Sequence, residues 1–311
     1  MELTRRRLLS RSASLGAAAI GAELWPGEPR AAGPMGPGIQ LWTVRDALAA
    51  DLEGTLKKLR AIGFVEVEPA GSQGLSAAEF RTRLDDAGLT APSVQLDLSG
   101  DAVDTAFEDA HALGARYAVS SMLRAGTGPP PYEAPPRPPS GLAPPMASMT
   151  LADALRTADL ANRVGERAKR AGLQYAYHNH AFEFAPELDG TIPYDVLLER
   201  TDPGLVKLEI DCGWMVVGGR NPIDYLERYP SRIPLLHVKD FLPAAPADGG
   251  KAGPRYGAEL GRGTIEYGPV LAAARASGLE HYYVEQEGPY SRMGQVESAA
   301  VAYDYLRRVA P

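Results

Sequence analysis

Eight times along residues 38–309 an apolar, strand-like run is followed by a segment with helical spacing, and this alternation limits the fold more than any other feature. The strand-like runs are 38–44, 64–71, 89–98, 116–122, 173–180, 205–211, 233–240 and 281–287. The segments between them carry apolar residues at helical spacing, as Leu52, Leu56 and Leu59 do, and several stop at a glycine such as Gly63, Gly88, Gly114, Gly172 or Gly278. The spacing predicts helices near 51–62, 76–87, 102–113, 150–171, 193–200, 222–228, 267–276 and 292–308. Strands that recur with a helix between them pair in parallel, and eight such units close on themselves as a single-domain α/β (β/α)8 TIM barrel. A doubly wound open sheet is the competing fold, and it has no use for an eighth unit.

Two stretches stand outside the rhythm. Residues 126–149 hold nine prolines between Pro129 and Pro145, which excludes regular structure there. As the insert follows the fourth strand, it is expected to rise over the barrel mouth, as a lid or as a surface loop. At the N-terminus Arg5, Arg6 and Arg7 precede a mildly apolar stretch, 15–22, too short for a bilayer core of about 30 Å. The pattern resembles a twin-arginine export signal. Residues 1–35 are therefore read as signal and linker, and 36–311 as the barrel. That reading implies the export machinery as a partner and a periplasmic or secreted protein; a disordered basic tail is the plain alternative. No other segment is long and apolar enough to span a membrane.

Composition narrows the partners. A net charge of −7 disfavours nucleic acid, whose binding needs clustered Lys and Arg. The one cysteine, Cys212, cannot form an internal disulfide. A small carbohydrate suits such a chain, and a homo-oligomer is left open.

In a TIM barrel the chemistry gathers at the C-terminal ends of the strands. The polar residues there are Gln40, Glu66, Glu68, Gln95, His178, His180, Asp211, His237, Lys239, Glu285 and Glu287. Strands five to eight offer His178, Asp211, His237 and Glu285 in turn. Neighbouring strands lie about 4.8 Å apart, so these four side chains can reach one point. Alone, His237 reads as a core histidine, Asp211 as a cap and Glu285 as a partner for Lys239. Four ligand-type residues at four consecutive strand ends are hard to explain by packing, because buried charge needs a partner. Mixed imidazole and carboxylate donors suit one Mn, Co, Zn, Fe or Ni ion better than Mg or Ca.

The blocks "AYHNHAFEF" (176–184), "LEIDCGW" (208–214), "LLHVKD" (235–240), "GRGTIEY" (261–267) and "YYVEQE" (282–287) resemble signature blocks of the sugar phosphate isomerase/epimerase family, a xylose isomerase-like barrel. "GIQLWTVRD" (38–46) and "NRVGERAKRAGLQYAYHNH" (162–180) are similar to its opening strand and its passage into strand five. The resemblance spans nearly all of 38–309 except the proline-rich insert. It implies metal ligation by His178, Asp211, His237 and Glu285, with Glu285 also the base. Many members carry Glu where His178 stands, His where Trp214 stands, and some have His at Gln95. His180, on the same strand face as His178, is the alternative ligand.

The implied reaction removes a proton next to a carbonyl and passes through an enediolate, stabilised by the metal as a Lewis acid. Glu183 or Glu68 is a candidate second acid/base, and Lys239 a candidate to polarise an oxygen. Gln40, Gln95, His180 and Trp214 are candidate substrate contacts, Trp214 through its apolar face. No phosphate cradle stands out, so the expected substrate is an unphosphorylated sugar or keto-sugar. An isomerase or epimerase is the expected activity. A 3-keto-glycoside lyase or hydrolase is the runner-up, and a non-catalytic sugar-binding barrel or a metal-dependent endonuclease are further alternatives.

Overall fold

A computed structural model describes residues 36–100, 102–123, 148–187, 189–243, 256–288, 290 and 292–310. The arginine-rich segment and nearly all of the proline-rich insert, and with them the export and lid readings, lie outside the described residues. Residues 34–311 group as one compact unit.

The barrel strands are β1 (Gly38–Gln40), β2 (Val67–Glu68), β3 (Ser93–Gln95), β4 (Tyr117–Ser120), β5 (Gln174–His178), β6 (Val206–Asp211), β7 (Leu235–Val238) and β8 (His281–Val284). Seven parallel pairings run in order from β2 through β1, β8, β7, β6, β5 and β4 to β3. Parallel bridges Glu66 to Thr90 and Ala70 to Gln95 join β2 back to β3 and close the cylinder. Each strand leads to a helix on the outside: α1 (Leu52–Ile62), α2 (Ala77–Ala87), α3 (Val103–Leu113), α4 (Leu151–Arg170), α5 (Pro193–Arg200), α6 (Pro222–Arg228), α7 (Tyr267–Ser277) and α8 (Gln295–Val309). None of the helices among the described residues is long and apolar enough to cross a membrane.

Local chemistry explains the helix limits. Ser76 with Glu79, and Thr150 with Asp153, form reciprocal capping boxes that satisfy the first amides of α2 and α4. Pro193 and Pro222 open α5 and α6, where a missing N–H costs nothing. Gly88, Gly114 and Gly278 end α2, α3 and α7 with φ of +73°, +79° and +98°, which any L side chain would strain.

The strands are shorter than the sequence suggests. The first was expected over 38–44, yet β1 stops at Gln40 and Leu41–Val44 coils into a 3-10 turn. Gln40 drives this by accepting a hydrogen bond from the Trp42 amide at 3.0 Å, which pulls the chain out of the sheet. Two short helices, Arg45–Ala50 and Cys212–Val217, were not foreseen. The second starts directly after β6 because the Asp211 carboxylate caps it, accepting from the Trp214 amide at 2.8 Å. Gly213 makes this packing possible, since a Cβ there would lie 2.6 Å from the Lys239 carbonyl oxygen.

Alternate residues of a strand face opposite sides. Ile39, Val67, Leu208, Ile210, Leu236 and Val238 belong to the large core under the helices. Tyr117, Val119, Ala176, Leu235 and Tyr283 fill the cylinder itself. Further along the same inward faces come His178, Glu209 and His237, then Asp211, Lys239, Glu285 and Glu287 as the strands reach the mouth. The fold therefore stacks an apolar plug beneath a layer of buried polar groups.

A candidate metal centre at the barrel mouth

Register places the polar layer. Along the ladder His178 lies beside Glu209, and Asp211 beside His237. Beyond β8, the Glu285 amide still donates to the Val238 carbonyl at 3.1 Å, so its side chain is held over β7. The loop after β7 is fixed by Asp240, whose carboxylate accepts from the amides of Phe241, Gly261, Gly263, Thr264 and Ile265 at 2.8–3.2 Å. Tyr267 Oη accepts from the Lys239 amide at 2.8 Å and donates to its carbonyl at 2.6 Å, fixing the backbone beneath the lysine.

His178, Asp211, His237 and Glu285 each bring a ligand atom into one group whose atoms lie within 4.8 Å of one another, all four residues being buried. The donors are two imidazoles and two carboxylates, a set that matches a divalent cation in charge and in donor type. Asp211 Oδ2 is buried and makes no well-formed hydrogen bond, although the Lys239 ammonium lies 3.0 Å away. One ammonium shared among Asp211, Glu285 and Glu287 leaves these carboxylates short of positive charge, which a divalent cation would supply. These observations fit a resident divalent metal.

Lys239 completes the electrostatics. Its Nζ also lies 2.9 Å from Glu285 Oε2 and 2.6 Å from Glu287 Oε1, and 4.9 Å above the Trp214 ring. Burial alone would discharge the amine, but Asp211, Glu285 and Glu287 outweigh it and hold its pKa well above the usual lysine range. Burial also raises the Glu285 carboxyl, and here Lys239 and His237 win, keeping it well below the usual carboxylate value. Asp211 goes the other way, with burial pushing it to about 6 against the pull of Lys239. Burial, then the neighbouring His237, depress the His178 imidazole well below its ordinary value, so it stays neutral with a lone pair for ligation.

The remaining sequence-derived candidates fall in different places. Trp214 lies at the mouth, its ring 5.0 Å from Phe241 and its Nε1 donating to Glu287 Oε1 at 3.2 Å. His180 is outside the ligand group; it stacks on Phe182 at 5.8 Å and faces Trp214 at 6.1 Å, with Nδ1 buried and without a hydrogen-bond partner. Glu68 sits below the ligand group, accepting from Gln40 Nε2 at 2.7 Å and from Ser93 Oγ, with His237 Nε2 at 2.7 Å. Burial, then the charge of Glu209, raise its carboxyl to about 7.

Three further candidates already have partners within the protein. Gln40 is fully buried and uses both ends of its amide, one on Glu68 and one on the Trp42 backbone, so it braces the site from below. Glu183 is fully buried, one oxygen accepting from Tyr177 Oη and the other from the His180 amide, both at 3.0 Å, and it shapes the turn after β5. Gln95 donates to Glu209 Oε2 at 3.3 Å and so joins the supporting layer. Glu66, one inward step before Glu68, pairs with His281 at 2.8 Å at the opposite end of the barrel.

Glu209 is the residue that strand-end reading overlooked. It is fully buried, and its Oε2 lies 3.0 Å from His178 Nδ1 and 3.2 Å from His237 Nε2. Its signal was present, for it precedes Asp211 by two residues and so shares its inward face.

Comparison with known proteins places the chain. An inosose dehydratase from Lacticaseibacillus casei is 31% identical over 153 residues, covering 46% of this chain and 50% of that protein. One from Clostridium tetani is 30% identical over 167 residues, 48% and 52% of the two chains. The chain thus spans about half the length of the curated relatives it matches. The crystal structure of a sugar phosphate isomerase/epimerase from Parabacteroides distasonis superposes with a TM-score of 0.65 at 25% identity, over 91% of this chain and 96% of the other. The family model described as "Xylose isomerase-like TIM barrel" matches residues 56–309, which include β2 to β8 and the whole ligand group. The chain belongs to the xylose isomerase-like TIM barrel family.

Proposed function

We propose that the protein is a divalent-metal-dependent enzyme that removes a proton next to the carbonyl of an unphosphorylated sugar-like ketone, and that the carbanion collapses by loss of a β-hydroxyl as water. The observation that carries this reading is the convergence of His178, Asp211, His237 and Glu285 on one buried point beneath an aromatic wall. When bound there, the metal supplies Lewis-acid stabilisation of negative charge developing on the carbonyl oxygen.

The side chains divide the rest of the work. Glu285, kept ionised by the Lys239 ammonium 2.9 Å away, takes the α-proton. The proton it takes is the one that departs with the leaving hydroxyl, so one carboxylate serves both halves and water is the balanced by-product. Lys239 stays charged instead of giving up its proton, and turning one N–H away from the carboxylates it meets lets it donate to the developing oxyanion. Trp214, with Phe241 behind it, offers an apolar wall to one face of the ring and excludes water.

Elimination is preferred to epimerisation on one specific ground. Inverting a carbon calls for a second acid/base across the substrate, and of the two candidates Glu183 is engaged by Tyr177 and the His180 amide, while Glu68 lies beneath the ligand group, held by Gln40, Ser93 and His237. The name of the matched relatives, inosose dehydratase, supports the same choice. An isomerase or epimerase remains the second reading, favoured by the likeness to the Parabacteroides structure.

Incubation of the metal-loaded protein with inosose and 3-keto-sugars in deuterated water separates the two. Elimination yields a product lighter by one water, whereas an isomerase yields a product of unchanged composition carrying deuterium at the α-carbon. Glu285→Gln is expected to keep part of the metal affinity and lose turnover by at least about 100-fold. Unchanged turnover would remove Glu285 from the mechanism.

A further inference from the structure

A residue with no part in the chemistry so far sits between two of the proposed ligands. β5 ends at His178, and its last pairing with β6 sets His178 beside Glu209. β6 runs two residues further, to Asp211, where β7 still flanks it through His237. Along a parallel strand the main-chain polar groups face the two neighbours in turn. The Leu208 amide donates to the Arg232 carbonyl, on the β7 side, at 2.9 Å, so the amide and carbonyl of Asp211 face β5, where that strand has already ended. Buried and unpaired, both groups would be costly. The Asn179 side chain takes the place of the missing rung. Its Oδ1 accepts from the Asp211 amide at 3.1 Å, and its Nδ2 donates to the Asp211 carbonyl at 3.3 Å. Asn179 and Asp211 are both fully buried. One backbone partner only donates and the other only accepts, so the carboxamide has a single workable orientation.

We infer that Asn179 is a positioning residue for the metal site: it clamps the main chain of Asp211 from the β5 side and so sets that ligand in place before a cation arrives. The inference rests on the metal reading above and deepens it. With its amide and carbonyl held by Asn179, Asp211 is fixed at a third point by Oδ1, which accepts from the Trp214 amide at 2.8 Å. Oδ2 is the oxygen left for ligation. Asn179 also follows His178 directly, so one residue ties the β5 ligand to the β6 ligand. A neutral carboxamide does this without adding charge to a layer that already holds Glu209, Asp211 and Glu285, and only an amide offers both a donor and an acceptor at this length. Groups that hold a ligand from behind are typically worth 10–100-fold in metal affinity. The chain carries a matching clamp away from the ligands: Asn162 on α4 donates to the Arg200 carbonyl at 3.0 Å and accepts from the Asp202 amide at 2.8 Å, before β6 begins and so at the end of that strand opposite Asp211.

Two substitutions in the full-length protein, stripped of metal and reloaded with Co2+, test this. Asn179→Leu removes both hydrogen bonds at nearly constant volume, and Asn162→Leu removes the matching pair at the other end of β6. Asn179→Ala is the second variant, should leucine disturb the packing. In the metal-free protein, hydrogen exchange at the Asp211 amide should quicken at least about 10-fold in Asn179→Leu, measured against the Leu208 amide, whose bond to Arg232 is untouched. Competition with a chelator should show Co2+ held 10–100-fold more weakly by the same variant, still one per chain, with a changed visible absorption spectrum. Asn162→Leu should keep the wild-type Co2+ affinity and spectrum even where its unfolding temperature falls. Unchanged exchange at Asp211, a wild-type Co2+ affinity and spectrum in Asn179→Leu, or an equal loss of affinity in Asn162→Leu would each overturn the inference. A wild-type protein that binds no Co2+ refutes the metal reading and the positioning role with it, and it is told apart from the other failures because the exchange contrast at Asp211 needs no metal.

Discussion

Lys239 is the residue whose position says most about how the site balances charge. Its ammonium touches two proposed metal ligands, Asp211 and Glu285, and a third carboxylate, Glu287, at the shortest distance of 2.6 Å. A divalent cation among Asp211 and Glu285 would feel this like charge, and two unit charges about 4 Å apart at a protein-like dielectric interact by about 4 kcal/mol. Glu287, anchored by Trp214 Nε1, is the group that absorbs part of that repulsion. Lys239→Met is therefore expected to bind the metal several-fold more tightly while turnover falls by about 100-fold, because an oxyanion donor is lost. Isothermal titration with Mn2+ or Co2+ beside a rate assay checks both halves, and weaker binding would show that Lys239 supports the ligands instead of competing with the ion. At this scale the sequence was partly legible. Period-two alternation on the strands marks His178, Asp211, His237 and Glu285, and the same rule points at Glu209. Alternation cannot say whether an inward side chain meets solvent or a neighbour. Gln40 and Glu183 look free in sequence, yet both are consumed by partners 28 and 6 residues away that only folding brings close.

Helix limits were legible because their causes are local. The boundary of α4 follows from Thr150 and Asp153, three residues apart, whose side chains each reach the other's backbone amide at 3.1 Å. The hydrogen bonds from Thr150 hold the Asp153 carboxyl below its usual range. A carboxyl lowered in the folded state adds stability that is present above its unfolded value and disappears as pH falls through its folded one. Asp153→Ala is accordingly expected to destabilise the protein by about 1 kcal/mol near pH 7. The gap from wild type should shrink once the pH drops below the carboxylate range. Urea midpoints measured near pH 7 and near pH 3 test this, and a gap that stays constant would detach the effect from the ionised cap. Strand limits were less legible, because what ends a strand is a contact made elsewhere. β1 stops early through the Gln40 side chain, whose other end is engaged by Glu68 on β2. The block 261–267 shows its purpose only in three dimensions, as the source of the amides that surround the Asp240 carboxylate.

The barrel is a cylinder whose lower interior is sealed by Tyr117, Val119, Ala176, Leu235 and Tyr283 and whose upper interior is given over to charge. That division places the cost of buried carboxylates at the one end where a cation can answer it. Metal binding should therefore stabilise the fold, by about 2.7 kcal/mol at a free concentration 100 times Kd. For a chain of this size that corresponds to a rise in Tm on the order of 5–10 °C, reversed by chelator. Fold class was the most legible property, because eight repeats of one pattern leave few architectures to choose from. Everything proposed for the site depends on four residues from the last four strands holding one metal ion. Elemental analysis of the purified protein beside an Asp211→Ala, His237→Ala double variant tests it most directly. One divalent transition metal per wild-type chain and none in the variant is the expected result; a wild-type chain without stoichiometric metal after reloading, or a variant that keeps the full complement, would overturn the metal centre.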